Sequence, residues 1–318
     1  TADQVRQTLF TTTDRTNIDE NETYIRNVVT EPDEKYGWGM LNQERALKGP
    51  GAFINIRRQY EHAQNSNNIF KANVPEGKVS YFENDIVGDG GLEKSGKGTL
   101  HLTGNNSYER GSIVKEGTLE IHKVHAKQVD IETNGTLVLH SKAIIGYNKP
   151  WYSQYIDEVD ANNIAAQNVD NKGTFKVKGT TAIIGGDYIA HPGSTTEMDI
   201  SSKVRVLGNI KIQGGAVVLS ANRYVAMGEQ AVLLEGANAQ GSVPNVQIDG
   251  MRKANVEIKD GKVVATMLRQ NTVEYLGENA EASSRNVAEN VENVFQDIDR
   301  KVFSGTATDK ELTMVATL

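Results

Sequence analysis

Three features of the sequence predict a mainly β protein that folds as a parallel β-helix. A pattern of Gly-Thr followed by an apolar, x, apolar triplet begins at Gly98, Gly117, Gly135 and Gly173. Successive copies are 19, 18 and 38 residues apart, and the last step is twice 19, which indicates one copy per solenoid turn. Within each copy the apolar residues alternate, as a strand with one buried face requires. We therefore expect each glycine to take a positive φ at a turn and to lead into a short strand.

A ladder of apolar side chains is expected inside this solenoid. Stacking the turns about 4.8 Å apart brings Leu100, Leu119, Leu137 and Phe175 into one internal column, and burial of each contributes about 1.5–3 kcal/mol. Further strands are expected at 216–219, 231–234, 246–248 and 256–258, with weaker turn signals. A β-sandwich also has short strands between Gly and Asn residues, but it has no reason to repeat the same residues at one period.

Composition limits the classes of function. The 318 residues carry a formal charge of −7 and no basic cluster, which argues against nucleic acid as a partner. The absence of cysteine excludes disulfides and thiol catalysis. No apolar run approaches the roughly 20 residues of a transmembrane helix. The chain starts without Met and directly at a helix cap, so we expect it to be part of a longer protein.

The first fifty residues differ in pattern from the repeats. Thr1-x-x-Gln4 predicts a capping box that opens a helix, and a polar loop follows. The segment 36–42, Tyr-Gly-Trp-Gly-Met-Leu-Asn, then leads into a short helix over 43–47, which Gly49-Pro50 ends. These two segments together resemble the C-terminal end of a subtilisin-like serine protease domain, in which they lie downstream of the catalytic serine.

The catalytic residues that this resemblance implies are not in this sequence. Subtilisin-type triads run Asp, His, Ser along the chain, with the serine in a Gly-Thr-Ser-x-Ala motif. The four Gly-Thr pairs are followed by Leu or Phe, never by Ser. We therefore predict no catalytic, cofactor-binding or metal-binding residue in this chain and no cofactor. By itself it should be inactive, while the parent protein would be a serine endopeptidase.

A second resemblance covers residues 84–121. This stretch combines turn glycines, the corner Asn105-Asn106-Ser107-Tyr108 and alternating strands over more than thirty positions. It resembles the passenger-associated transport repeat of bacterial autotransporters. From Ser283 onward the apolar period becomes helical, at Val287, Val291, Val294, Ile298 and Val302, and Gly305 ends the helix. Such a helix is similar to the linker between an autotransporter passenger and its outer-membrane barrel, and it could equally be a cap on the solenoid.

Two groups of side chains are candidate binding sites. His122 and His140 each follow their turn glycine by five residues, so they should stack on the outside of neighbouring turns. They could share a metal ion, or form a solvated ladder, which the pattern favours; His101 is offset along its strand and no carboxylate cluster is expected to join them.

An inserted loop over 147–163 carries the second group, which consists of Tyr147, Trp151, Tyr152, Tyr155, Asp157, Glu158 and Asp160. These side chains could bind glycans or fold back onto the turns, which the pattern favours. A polysaccharide lyase is disfavoured, because acidic and basic residues do not recur on one face.

Together the resemblances imply a segment of a subtilisin-like autotransporter protease at the cell surface or outside a Gram-negative bacterium. The implied parts are a protease end at 1–50, a connector at 51–79, a β-helical stalk at 80–276 and a linker at 277–318. The implied partners are the upstream protease domain, a downstream barrel that alone contacts the membrane, and the protein substrates of the parent. The alternative is an adhesin whose β-helix binds a host glycan or protein.

Overall fold

The protein is a parallel β-helix with three strands in each full turn, which confirms the predicted fold class. The computed structural model describes residues 1–19, 22–26, 29–55, 68–147, 161–243, 245–248, 252–277 and 280–316. Face A stacks β3 (Ile69–Asn73), β5 (Gly91–Ser95), the first part of β7 (Ser112–Ile121), the first part of β9 (Val129–His140), β11 (Val169–Asn171), β14 (Tyr188–Ala190), β17 (Asn209–Ile212) and β20 (Asn238–Gly241).

The other two faces follow in the same chain order. Face B stacks β4 (Val79–Phe82), β6 (Thr99–Leu102), the second parts of β7 and β9, β12 (Thr174–Lys178), β15 (Thr195–Asp199), β18 (Ala216–Ser220) and β21 (Asn245–Ile248). Face C stacks β8 (Val124–His125), β10 (Ile144–Ile145), β13 (Thr181–Ile184), β16 (Lys203–Val206) and β19 (Gln230–Glu235). Strand β3, which lies within the segment expected as a connector at 51–79, already pairs with β5, and β4, which begins at its last residue, pairs with β6.

The internal ladder forms as predicted. Leu100 pairs with Leu119, Leu119 with Leu137, and Leu137 with Phe175, each in register on adjacent strands of face B. All four side chains are completely buried. The column continues through Thr196, whose hydroxyl lies 2.6 Å from the hydroxyl of Tyr188 and so is satisfied inside the core.

The 38-residue step is one turn with an insertion, so the interpretation as two turns is wrong. Thr136 and Thr174 are direct partners on neighbouring strands β9 and β12. Val129 likewise pairs directly with Val169 on face A. The additional residues fall between β10 and β11, where the insert at 147–163 was predicted, and residues 148–160 lie outside the described part of the chain.

The repeat glycines are needed mainly because space is short, and the expectation of a positive φ holds for only one of them. Gly117 has a φ of 68°, whereas Gly98, Gly135 and Gly173 do not lie in the left-handed region. A Cβ on Gly135 would overlap the carbonyl oxygen of Val114 on the preceding turn. Close approach of stacked backbones, rather than turn geometry, therefore selects glycine at most of these corners.

The solenoid ends in an antiparallel hairpin, whereas the strand predicted at 256–258 was expected to continue the parallel stack. Strand β22 (Arg252–Lys259) contains the predicted strand 256–258 but pairs antiparallel with β23 (Lys262–Arg269), and β23 pairs antiparallel with β19. Asp260 and Gly261, with φ of 50° and 74°, form the two-residue connection. The Asp-Gly pair was the sequence signal for this reversal.

Helices cover both ends of the solenoid. The first residues form α1 (Ala2–Thr11) with the predicted Thr1 to Gln4 capping box, and α2 spans Gln43–Leu47 as predicted. Between them, in the segment expected as a polar loop, β1 (Arg15–Asp19) and β2 (Glu22–Arg26) pair antiparallel. The C-terminal helices are α3 (Thr272–Leu276), α4 (Ala282–Ser304) and α5 (Asp309–Ala316).

The apolar stripe of α4 is only partly where the sequence pattern placed it. Ile298 is buried and Gly305 caps the helix in the left-handed conformation, as expected. Val287 and Val294, however, are 63% and 40% exposed, and Ala288 and Phe295 are buried instead. One residue along a helix rotates the side chain by about 100°, and the larger Phe295 ring determines which side faces the solenoid. None of the described helices has the length and apolar character that crossing a membrane requires.

Candidate functional site

A buried polar cluster closes the corner between face C and face A at the end of the stretch 84–121. Tyr108 places its hydroxyl 2.6 Å from Ser112 Oγ and 3.0 Å from His125 Nε2, and Ser112 Oγ lies 2.9 Å from the same nitrogen. The other imidazole nitrogen, Nδ1, lies 2.7 Å from the carbonyl oxygen of Lys127. The corner that the sequence singled out thus supplies the tyrosine of a four-residue network.

This network has the atoms of a serine and histidine pair but no access for a substrate. Tyr108, Ser112 and His125 are each 1% exposed. Burial lowers the pKa of His125 to about 4, although the backbone hydrogen bond with Lys127 acts in the opposite direction. The imidazole is therefore neutral at pH 7 and holds two segments of the corner together. We assign the network a structural role.

Lys94 is a second buried polar group in the same stretch. Its side chain points into the solenoid, and Nζ donates to the carbonyl oxygens of Ser95, Gly96 and Glu116 at 2.9, 2.7 and 3.0 Å. Burial lowers the pKa of Lys94 to about 8, and the charge of Glu116 partly offsets that effect. One ammonium group thus joins carbonyls of two consecutive turns, a role that the apolar alternation of the sequence did not reveal.

The outside of face B carries a histidine cluster, which we define as His101, Glu120, His122 and His140. His122 and His140 stack as predicted, with ring centroids 3.6 Å apart and an interplanar angle of 20°. A single carboxylate, that of Glu120, joins the imidazoles, and His101, although offset along its strand as expected, also reaches them. His101 Nδ1 lies 2.9 Å from His122 Nε2, and His140 Nε2 lies 2.5 Å from Glu120 Oε2.

Strand register explains why these four side chains meet. His101 pairs directly with Glu120, and both lie between two inward-pointing apolar residues, so both point outward. His122 and His140 each come one position after the paired residues Ile121 and Leu139. His122 is therefore two residues beyond Glu120 along the chain, and it also points outward. Outward side chains on diagonal positions of neighbouring strands are within reach of one another. Sequence reasoning counted the offset correctly but missed this diagonal contact.

The protonation states in the cluster follow from partial burial and mutual charge. Burial, followed by the neighbouring His140 and His101, lowers the pKa of His122 to about 4. Burial also lowers the pKa of His101. Burial tends to raise the pKa of Glu120, but the hydrogen bond with His140 and the nearby cationic groups outweigh it and lower the pKa. At pH 7 His101 and His122 are therefore neutral and Glu120 is ionised.

The repeat threonines form a second outward column on the same face. Thr99, Thr118, Thr136, Thr174 and Thr195 are register partners on five successive strands. Cross-strand threonine pairs stabilise neighbouring strands by about 0.2–1 kcal/mol each. The repeat threonines therefore have a structural role, at positions where the sequence predicted no nucleophile.

Only the first residue of the predicted aromatic group can be placed on the solenoid. Tyr147 is buried and packs with Val124 and Ile144 on the outer side of face C. It also forms an antiparallel bridge with Ile164. The other members of that group, at positions 151–160, lie outside the described residues.

Specific contacts hold the first fifty residues together and join them to the start of the solenoid. Trp38 stacks on Phe10 with centroids 5.0 Å apart, between the positive-φ glycines that the sequence indicated. The Arg45 guanidinium donates to the carbonyl oxygen of Thr12 at 2.7 Å and so joins α2 to α1. Asn84, the first residue of the stretch 84–121, donates to the carbonyl oxygen of Gly49 at 2.6 Å.

A buried ion-pair network fixes α4 against the opposite end. Arg269 at the end of β23 pairs with Glu292 at 2.9 Å and with Asp299 at 3.0 Å. Tyr224 donates to Asp299 at 2.6 Å, and the Arg269 guanidinium lies 4.5 Å from the centroid of the Phe295 ring. The helix is thus bound to the last strands by charge as well as by apolar contact.

Comparison with known proteins shows a similarity of part of the solenoid to autotransporter passengers. Residues 92–121, which contain Lys94, Tyr108 and Ser112 of the buried corner and half of the histidine cluster, match the Passenger-associated-transport-repeat family. The predicted resemblance to an autotransporter passenger is confirmed. The solenoid therefore carries, at its most regular part, the repeat named for transport of a passenger.

Several characterised proteins are similar to parts of the chain. An "Extracellular serine protease" of Serratia marcescens is 35% identical over 128 residues, covering 33% of this chain and 12% of that protein. The "Neisserial autotransporter lipoprotein NalP" of Neisseria meningitidis serogroup B is 31% identical over 171 residues, covering 48% of this chain and 15% of that protein. The "Serotype-specific antigen 1" of Mannheimia haemolytica is 27% identical over 143 residues, covering 43% of this chain and 12% of that protein.

These similarities confirm the passenger character of the chain and its predicted place at the cell surface or outside the cell. The matched regions amount to only 12–15% of the length of the relatives. The chain thus corresponds to a small part of proteins of that size.

Proposed function

We propose that this chain is the passenger stalk of a subtilisin-like serine endopeptidase autotransporter, which supports secretion and displays the protease. The observation that carries the proposal is the continuous stack from β3 to β21, with the transport repeat inside it and helices at both ends. The similarity to proteins named as an extracellular serine protease and an autotransporter supports it.

The stalk would assist secretion by folding one turn at a time outside the cell. A single turn cannot bury its apolar face alone, whereas a turn added to an existing stack gains a complete neighbour. Each residue of the Leu100 to Phe175 column contributes about 1.5–3 kcal/mol when it is covered. Because every turn that folds outside becomes too wide to slip back, successive addition would favour outward passage of the chain.

The N-terminal part would hold the protease on the stalk. Among the side chains that the structure describes in the first fifty residues, five large apolar ones are substantially exposed, namely Val5, Tyr36, Met40, Leu41 and Leu47. Such a concentration is typical of a surface that another part of a protein covers. An upstream protease domain, carrying the Asp, His and Ser of the active site, fits this surface as an intramolecular partner.

The C-terminal part would lead to the membrane. Helix α4, bound to the last strands through Arg269, would join the end of the stalk to a downstream barrel. In this proposal residues 1–50 belong to the protease domain, 51–79 connect it to the stalk at 80–276, and 277–318 form the linker. Protein substrates would meet the protease and not the stalk.

Deletion of residues 84–121 from the full-length parent protein tests the secretion role. We expect the amount of passenger accessible to an added protease on intact cells to fall at least severalfold, while the barrel remains in the outer membrane. A parent whose catalytic serine is replaced serves as the control, because it separates export from self-cleavage. Undiminished export after the deletion would contradict the proposal.

A further inference from the structure

We propose that His101, Glu120, His122 and His140 form a binding site for a divalent transition-metal ion, for which Zn²⁺ is the reference probe. The four residues offer three imidazole nitrogens and one carboxylate oxygen, and all four ligand atoms lie within 4.8 Å of one another. They are the donor types that Zn²⁺ takes in proteins, and three imidazoles disfavour Mg²⁺ and Ca²⁺, which prefer oxygen.

Three of the six distances between the ligand atoms are close to those of a tetrahedral site, and all six are within 4.8 Å. With bonds of about 2.0–2.1 Å, two ligand atoms of a tetrahedral zinc site are about 3.3 Å apart. Here His101 Nδ1 lies 2.9 Å from His122 Nε2 and 3.5 Å from Glu120 Oε2. His140 Nε2 lies 2.5 Å from Glu120 Oε2, so the present hydrogen bonds need to lengthen by less than 1 Å to admit the ion.

The surroundings of the cluster hold the ligands and leave them accessible. The side chains of His101, Glu120 and His140 are 14%, 14% and 19% exposed, so the site is partly covered but open to solvent. Tyr81 stacks on the His101 ring at 4.6 Å with an interplanar angle of 10°, which fixes its orientation. Each ligand lies on or next to a strand of face B, and strands position ligands more rigidly than loops do.

One cationic side chain opposes metal binding. Lys178 is the register partner of His140 on the next strand. Its side chain is exposed, so the ammonium group can extend into water while the four-carbon stem stays on the sheet. Its charge nevertheless acts on His101, Glu120 and His122, so replacement of Lys178 by Ala should strengthen metal binding severalfold and leave the ligand set unchanged.

A bound ion would connect three successive turns of the solenoid. His101 belongs to β6, Glu120 to β7 with His122 directly after it, and His140 ends β9. The ion binds the folded stack and not an extended chain, so its presence outside the cell would stabilise the turns of the transport repeat by linkage. The site would thus act on the stability of the stalk, with no part in proteolysis.

Titration of the chelator-treated 318-residue chain, purified without a histidine tag, tests the site. Calorimetry with Zn²⁺ should give one ion per chain, and Co²⁺ should develop the intense visible absorption of a four-coordinate complex. His122→Ala and His140→Ala should each weaken binding at least about 100-fold, since even residues that only orient a ligand are worth about 10–100-fold. Far-ultraviolet circular dichroism checks that the variants remain folded.

A matched control is available on face A. His191 lies 2.9 Å from Asp170 and is another partly exposed histidine and carboxylate pair, but it lacks further imidazoles. His191→Ala should leave both the Zn²⁺ affinity and the stoichiometry unchanged. Absence of Zn²⁺ binding by the unaltered chain, or binding that His122→Ala and His140→Ala leave intact, would overturn the proposal. Should one variant misfold, His101→Ala provides the same test at a third ligand.

Discussion

The middle of the solenoid and its C-terminal end are stabilised in different ways. In the middle, the column from Leu100 to Phe175 is completely buried and the strands are all parallel. Toward the end, the same column passes through Val217 to Val246, which is partly exposed, and the stack is closed by an antiparallel hairpin. At that end the ion pairs of Arg269 provide part of the stabilisation that apolar stacking provides in the middle.

The difference shows that the inner turns and the last turn of a solenoid need different kinds of stabilising contact. Identical turns can rely on apolar stacking because each finds the same surface on its neighbour. The last turn has no such neighbour, so its exposed edge must be covered by another kind of element. The hairpin and α4 provide that cover, and the buried charges specify which face of the helix is bound.

The largest effect is expected from Leu119→Asp in the middle of the column. The change removes a fully buried side chain and leaves an uncompensated carboxylate there, which should cost at least about 5 kcal/mol of unfolding free energy. Urea denaturation followed by circular dichroism measures it. Val246→Asp, in the same column near the end, should cost clearly less, and equal costs would refute the contrast between the two regions.

Arg269→Ala tests the C-terminal end. It leaves Glu292 and Asp299 without their cationic partner, with side chains only 10% and 13% exposed. Loss of one partner of such a buried network costs about 3–5 kcal/mol. We expect limited proteolysis to cut within 282–304 while the turns at 92–139 stay protected. Protection of α4 equal to that of the unaltered chain would show that apolar contacts suffice.

Acid should weaken the middle of the solenoid through His125. Its pKa is about 4 in the folded chain against an ordinary value near 6.5, so the unfolded chain binds more protons between these values. The contribution of His125 to the unfolding free energy is therefore fully present above pH 6.5. It is lost as the pH falls toward 4, by about 3 kcal/mol at pH 4.

His125→Gln isolates this contribution, because glutamine does not titrate. Chemical denaturation of both proteins at pH 7 and pH 4 should give a smaller acid-induced loss of unfolding free energy in the variant. His122 in the histidine cluster adds to the loss in both proteins, since its pKa is also lowered to about 4, first by burial. An identical loss in the two proteins would contradict the assignment of the effect to His125.

The smallest effect compares a severe overlap at a repeat glycine with a milder one near the end of the solenoid. A Cβ on Gly135 meets the backbone of Val114, which cannot move without shifting a turn, so Gly135→Ala should cost about 1–3 kcal/mol. On Gly236, near the end, a Cβ meets two Ile210 side-chain carbons at 3.0 Å and the Gly208 carbonyl oxygen at 3.2 Å, a milder overlap, so Gly236→Ala should cost less, under about 1 kcal/mol. Thermal unfolding midpoints of the two variants make this comparison, and a larger loss for Gly236→Ala would reverse it.

The sequence alone predicted most of the regular fold and little of the candidate site. The column of Leu100, Leu119 and Leu137 could be predicted because the alternation of apolar residues is the same, and the repeat spacing nearly the same, in each of these turns. The 38-residue step misled, since spacing counts residues and does not show which of them leave the stack. Glu120 joined the histidines through a diagonal contact between strands, which depends on register as well as on parity. The partners of Lys94 and Arg269 come from distant segments, so local pattern could not reveal them.

The most direct test of the account compares two changes within the transport repeat of the full-length parent protein. Leu119→Asp disrupts the internal column, whereas Lys97→Ala alters an exposed side chain of the same repeat. The measurement is the amount of passenger on the surface of intact cells, by labelling with a membrane-impermeant reagent. The account predicts a loss of at least severalfold for Leu119→Asp and none for Lys97→Ala. Equal display of the two variants would contradict the claim that the stacked turns support secretion.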